Sequence, residues 1–232
     1  MPQPVLRAMI LAVGLAMMGI AQAFAQASPT AELRQLGQQI VKLYAAGRYQ
    51  AALPLAQRAL AISETANGPV HPDTATSLNN LAGLYKSMGR YDQALPLYQR
   101  ALAMRDKALG PEHPDTAASL NSLAGLYQAM GRTDEALPLY QRALAIREKA
   151  LGPEHPDTAT SLNNLAVLYD DMGRTDQALP LYQRALAIHD KALGAEHPVT
   201  ATSLNNLAVL YQNMSRYDEA LPLYQRALAI KE

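Results

Sequence analysis

The tract Ala94-Leu-Pro-Leu-Tyr-Gln-Arg-Ala-Leu-Ala103 returns from Ala136, Ala178 and Ala220. A divergent copy, Ala52-Leu-Pro-Leu-Ala-Gln-Arg-Ala-Leu-Ala61, precedes them at the same spacing. Between the copies, His71, His113, His155 and His197 stand 42 residues apart, each followed by proline. Five units result, at about residues 31–70, 71–112, 113–154, 155–196 and 197–232. A fixed period of this size marks a solenoid, in which each unit buries its apolar faces against its neighbours.

Each unit reads as two helices. In the second, Leu78, Leu81, Ala82, Tyr85 and Met88 carry the spacing of an amphipathic helix. Pro72 suits its first turn, where a missing N–H costs nothing, and Asp73 suits the positive end of the helix dipole. Gly89 is expected to end it as a left-handed cap, with a turn at Arg90-Tyr91. Ala94, Leu95, Tyr98, Ala101 and Leu102 then form the stripe of a second helix, stopped by Gly110-Pro111. Pro96 falls inside that helix and removes one bond near its start, so a slight bend is expected and not a break. Leu84 and Ala103 lie off the stripes and are expected to be buried against the neighbouring unit.

Composition agrees with an all-α chain, rich in Ala and Leu and poor in Phe and Trp. Twenty basic residues balance 20 acidic ones. That balance opposes a nucleic-acid partner or a polybasic membrane contact. The absence of cysteine excludes disulfides, thiolate metal sites and a cysteine nucleophile.

The start of the chain has a different character. Arg7 precedes an uncharged run, Ala8 to Phe24, and small residues follow at Ala21, Ala23, Ala25 and Ala27. This is the order of a bacterial-style secretory signal. The reading is a signal peptide at residues 1–25, cleaved after Ala25 in preference to Ala23 or Ala27, and a repeat domain at residues 26–232. It implies a periplasmic or secreted protein with no membrane insertion after cleavage. The alternative is an uncleaved membrane anchor, for which the apolar run of about 17 residues is at the lower limit.

Leu81, Ala82, Tyr85, Ala94, Tyr98 and Ala101 resemble the tetratricopeptide repeat in their spacing of large and small residues. The period of 42 exceeds the usual ~34. The added segment, Leu109 to Thr116, and the Asn pair in the first helix resemble the kinesin-light-chain type. The resemblance implies an α-α superhelix of about five helix-turn-helix repeats, but not motor-cargo biology. Two departures stand out. The first unit's first helix reads as one residue short before Gly47, with Gln38-Gln39 replacing the Asn pair. The last unit carries no polar capping helix, leaving Leu221, Leu228 and Ile230 as an edge that a partner covers, that a second copy covers as a homodimer, or that is tolerated bare.

In this family the first helices line a concave groove that receives peptides. Carried over, the groove positions are Thr76, Asn79, Asn80, Gly83, Lys86 and Ser87 in the second unit, and Ala118, Asn121, Ser122, Gly125, Gln128 and Ala129 in the third. The fourth supplies Thr160, Asn163, Asn164, Val167, Asp170 and Asp171, and the fifth Thr202, Asn205, Asn206, Val209, Gln212 and Asn213. Asparagine donates and accepts, so Asn79, Asn121, Asn163 and Asn205 either grip a partner's main chain or bond within the array. Units three and four differ at nine of 42 positions, and five of those nine lie in the groove. A basic residue of a bound peptide is expected near Asp170 and Asp171.

Catalytic signatures are missing. No phosphate loop, nucleophile elbow or His-Glu-x-x-His occurs. Asp170 and Asp171 point about 100° apart on a helix and do not converge on one atom. Equivalent histidines in stacked units stand roughly 10 Å apart, too far to share a zinc. They are expected to shape the His-Pro turns, and His189 to sit at the surface. The expectation is a non-enzymatic scaffold without cofactor, binding a protein or peptide. The alternatives are a self-assembling structural unit and an accessory subunit of an envelope enzyme.

Overall fold

A computed structural model describes residues 28–230. The proposed signal segment lies outside these residues. Among them ten helices follow in antiparallel pairs, with no strand: α1 (Pro29–Ala45), α2 (Tyr49–Asn67), α3 (Pro72–Ser87), α4 (Tyr91–Leu109), α5 (Pro114–Ala129), α6 (Thr133–Leu151), α7 (Pro156–Asp171), α8 (Thr175–Leu193), α9 (Pro198–Asn213) and α10 (Tyr217–Ala229). The pairs stack in sequence order as a superhelical solenoid.

The turns form as their residues dictate. Gly89 takes φ +71° after α3, and the Arg90 N–H reaches back to the Tyr85 carbonyl at 2.8 Å. That is a Schellman closure. Gly110 ends α4 at φ +95°. Each histidine before a first helix is its N-cap: Nδ1 of His71, His113 and His155 accepts from the N–H of Asp73, Asp115 and Asp157 at 3.1–3.2 Å. The threonine one place further on is fully buried and latches the linker. Thr116, Thr158 and Thr200 donate to the carbonyls of Gly110, Gly152 and Gly194 at 2.8–2.9 Å. α4 runs unbroken through Pro96.

Alanines let the paired helices close. Ala82, Ala94 and Ala101 are fully buried, and Leu81, Tyr85 and Tyr98 fill the space between them. Leu84 is fully buried, as expected. Ala103 is not: it is exposed on the outside of α4. Successive helix residues turn by about 100°, so the next unit is met by Leu102 and Arg105 on either side of it.

The first unit also departs from the reading. The Arg48 N–H bonds the Leu43 carbonyl as Arg90 bonds Tyr85, and Leu36 and Ile40 are buried as are Leu78 and Ala82. α1 therefore keeps the 42-residue register and is not short. Gly37 and Gln38, rather than Gln38-Gln39, stand in the place of the Asn pair.

Candidate partner-binding face

The first helices α3, α5, α7 and α9 neighbour one another along one face, tied by side chains. The Asn79 Nδ2 donates to Ser119 Oγ at 3.0 Å and the Asn121 Nδ2 to Ser161 Oγ at 2.9 Å. The Asn206 Nδ2 donates to Asn163 Oδ1 at 3.1 Å. Nearer the helix ends, Tyr44 meets Ser87 at 2.8 Å, the Gln128 Nε2 donates to Asp171 at 2.5 Å, and the Asn213 Nδ2 reaches Asp170 at 3.4 Å. The carried-over positions thus lie together. The structure divides them by accessibility. Asn79 and Asn121 are partly withdrawn, their amides engaged by serines of the next unit. Asn80, Asn164 and Asn205 make no side-chain bond among the described residues. Of these, Asn80 is exposed and Asn164 and Asn205 are half-buried.

Electrostatics vary along the face. Lys86 packs across to Gly125, where a Cβ would come within 2.9 Å of its Nζ, and this burial lowers its pKa. Gln128 accepts from the buried Tyr140 hydroxyl at 2.9 Å. Burial pushes the Asp170 carboxyl up, the Asp171 charge adds to the rise, and the Asn213 bond opposes both. Positions that are Lys86 and Ser87 in one unit become Gln128 and Ala129, Asp170 and Asp171, then Gln212 and Asn213.

Behind this face lies a seam that sequence reasoning missed. Arg105 NH1 donates to the Asp115 carbonyl at 2.8 Å and to Ser119 Oγ at 3.0 Å, while NH2 donates to Thr76 Oγ1 at 2.9 Å. Arg147 makes the first two contacts one unit later, to Asp157 and Ser161. His189 holds this register between the last two units. It is 2% exposed, with Nδ1 at 2.8 Å from Ser203 Oγ and Nε2 at 3.2 Å from the Pro156 carbonyl. The expected surface histidine is a buried joint. Its register with Arg105 and Arg147 was the available signal. Burial lowers the pKa of His189 and of both arginines.

Second helices are stitched outside. Gln141 and Gln183 donate to the tyrosines Tyr169 and Tyr211 of the next unit. Arg142, Arg184 and Arg226 pair with Asp106, Glu148 and Asp190 of the preceding one. The periodic histidines are all N-caps, and no group of three metal-ligating side chains occurs among the described residues.

The tetratricopeptide-repeat family pattern matches residues 41–107, 79–149, 115–191 and 171–232. The chain belongs to the tetratricopeptide-repeat family. Solved structures agree. The nearly identical TPR-like repeats of a Podosopora anserina protein described as a kinesin light chain are 32% identical, with a TM-score of 0.66. That match covers 89% of this chain and 97% of the other. BtubC (BKLC) from P. vanneervenii is 25% identical with a TM-score of 0.70, over 95% and 89% of the two chains. Aspartyl phosphate phosphatase F from Bacillus subtilis, 13% identical with a TM-score of 0.69, shares the fold over 92% of this chain and 54% of its own. No curated protein gives a significant match. Tetratricopeptide arrays of this kind are typically scaffolds for protein–protein interaction and not catalysts. No helix among the described residues is long and apolar enough to cross a membrane.

Proposed function

We propose that this protein is an exported scaffold that holds a segment of a partner protein along the face of its first helices. One observation carries the reading. In units that are otherwise nearly identical, the residues at the ends of these helices change chemical class from Lys86 to Gln128 to Asp170. The Gln-Arg pair of the second helices, Gln141-Arg142 and Gln183-Arg184, stays fixed and is engaged between units. A face free to change while its support is held constant suits recognition of a partner. Asn80, Asn164 and Asn205 offer the partner unengaged amides, and Asp170 with Asp171 favours a basic residue. Replacing Asn163, Asn164, Asp170 and Asp171 with alanine should abolish partner capture while the helical spectrum and melting remain near wild type. Capture that survives the replacement assigns binding to another surface.

A second reading is self-association through α10. Tyr217, Leu221 and Leu228 are 59–63% exposed there, whereas Leu179 and Leu186 at the same register one unit earlier are half-covered. Leu228→Asp with Ile230→Asp should turn a concentration-dependent dimer into a monomer by light scattering. A wild-type chain that is monomeric throughout rejects this reading.

A further inference from the structure

The seam between the first two units lacks the side chain that fills the others. Ser63 stands at the register of Arg105 and Arg147, and Gly37 at that of Asn79 and Asn121. Ser63 is 1% exposed and reaches only Ser77, Oγ to Oγ at 2.8 Å. The two smaller residues leave a cavity of about 330 Å3 between α1, α2 and α3. Leu33, Ile40, Ala56 and Ala59 form its apolar wall, and Ser77, Asp73 and Asn80 its polar side. It opens onto the first-helix face beside Thr76 and Asn80, both exposed. Its volume is at the low end for small-ligand pockets, roughly 300 Å3, which suits one side chain and not a peptide.

The neighbouring seams show what this shape accepts. There an aliphatic stem crosses from the second helix, and one guanidinium nitrogen donates to both a first-turn carbonyl and a serine hydroxyl. The matching acceptors here are the Asp73 carbonyl and Ser77 Oγ, with the exposed Asp73 carboxylate at the rim. Arg34, at the register of Thr76, lines the rim but is exposed.

We propose that this cavity receives an arginine side chain of the bound partner, its methylenes on Leu33, Ile40 and Ala59 and its guanidinium on the Asp73 carbonyl and Ser77 hydroxyl. Arginine fills this shape in the neighbouring seams, and its delocalised guanidinium is more weakly hydrated than the ammonium of lysine, so it enters a half-buried site at lower cost. The subsite rests on the reading that a partner segment lies along the first helices. It places an arginine anchor at the N-terminal end of that segment's path.

The test needs no partner. The full chain is titrated with Nα-acetyl-arginine methylamide, and backbone amide shifts are followed by NMR, with the lysine analogue in parallel. Shifts centred on Gly37, Ser63, Ser77 and Asn80, stronger for arginine, are expected. Ser63→Arg should supply the side chain from within, weakening the probe at least about tenfold and raising the melting temperature. Gly37→Asn is a second plug, because a Cβ at Gly37 meets nothing within 4 Å. Arg34→Ala should tighten the probe by removing a like charge. No shifts at these residues, shifts that persist in both plugged variants, or weaker binding in Arg34→Ala would overturn the proposal. A negative titration leaves the partner-binding face standing. Loss of partner capture by the Asn163 and Asp170 replacements, conversely, leaves the probe's binding untouched.

Discussion

The two sides of this array treat polar residues in opposite ways. On the second helices, Gln141 and Arg142 recur as Gln183 and Arg184, each engaging a neighbouring unit. On the first helices, Lys86, Gln128 and Asp170 share one register with different charge. Repetition marks the residues that join units, because every joint poses the same geometric problem. Variation marks positions where the array accepts more than one side chain: Lys86 rests against Gly125, Gln128 bonds Asp171 and Tyr140, and Asp170 meets Asn213. The asparagines show the boundary: Asn79 and Asn121 lie on the variable face yet recur as Asn163 and Asn205 in the units that follow, and their amides bond across the joint.

The comparison breaks most sharply at the buried seam. Arg147→Ala removes the side-chain donor to the Asp157 carbonyl and one of the two donors to the Ser161 hydroxyl, and opens a void. A loss of about 3 kcal/mol in urea unfolding is expected. A loss under about 0.5 kcal/mol, the level of ordinary surface positions, would remove the distinction between seam and face.

His189 sharpens it through pH. Its folded pKa lies below the ordinary value, chiefly from burial, so the unfolded chain binds the proton more readily. Its neutral-form contribution is present above the unfolded value near 6.5 and is lost as pH falls from there through the folded value. Wild type should therefore lose stability as pH falls below about 6.5, by up to about 1.4 kcal/mol per unit of pH. His189→Arg should flatten this part of the profile. An unchanged profile would place the titrating group elsewhere.

The smallest effect belongs to the variable face. The Asp170 pKa is raised, so its charged form opposes folding, and its protonated advantage disappears as pH rises from the unfolded value through the folded one. Asp170→Asn should leave stability at neutral pH unchanged or slightly higher, within about 0.5 kcal/mol, while weakening partner capture. A clear loss of stability would make Asp170 a joint residue after all.

Much of this architecture was legible beforehand because it is local. The helix pairs, the Gly89 and Gly110 stops, the prolines in first turns and the alanine contacts all follow from residues within one unit. The histidine turns were foreseen as well, although their capping of the backbone N–H was not. What escaped depends on side chains meeting across a joint. The burial of His189 becomes readable once Arg105 and Arg147 are known to face the next unit. The exposure of Ala103 turns on which arc of α4 that unit covers. The first helix seemed short because Ile40-Val41 invites alignment with Leu81-Ala82, and only burial fixes the register. The carried-over positions share the side on which the first helices neighbour one another. Which asparagines remain available to a partner depended on serines 40 residues away.

The threonine latch has a consequence for how such a chain can change length. Thr116, Thr158 and Thr200 each close their own linker on a glycine six residues earlier, using no residue from outside that linker. The angle between successive pairs is thus set afresh in every period. Inserting or removing a block of 42 residues keeps each latch intact and shifts only what lies beyond. The array can act as a ruler graduated in units, its span adjusted by copy number while every graduation keeps its shape.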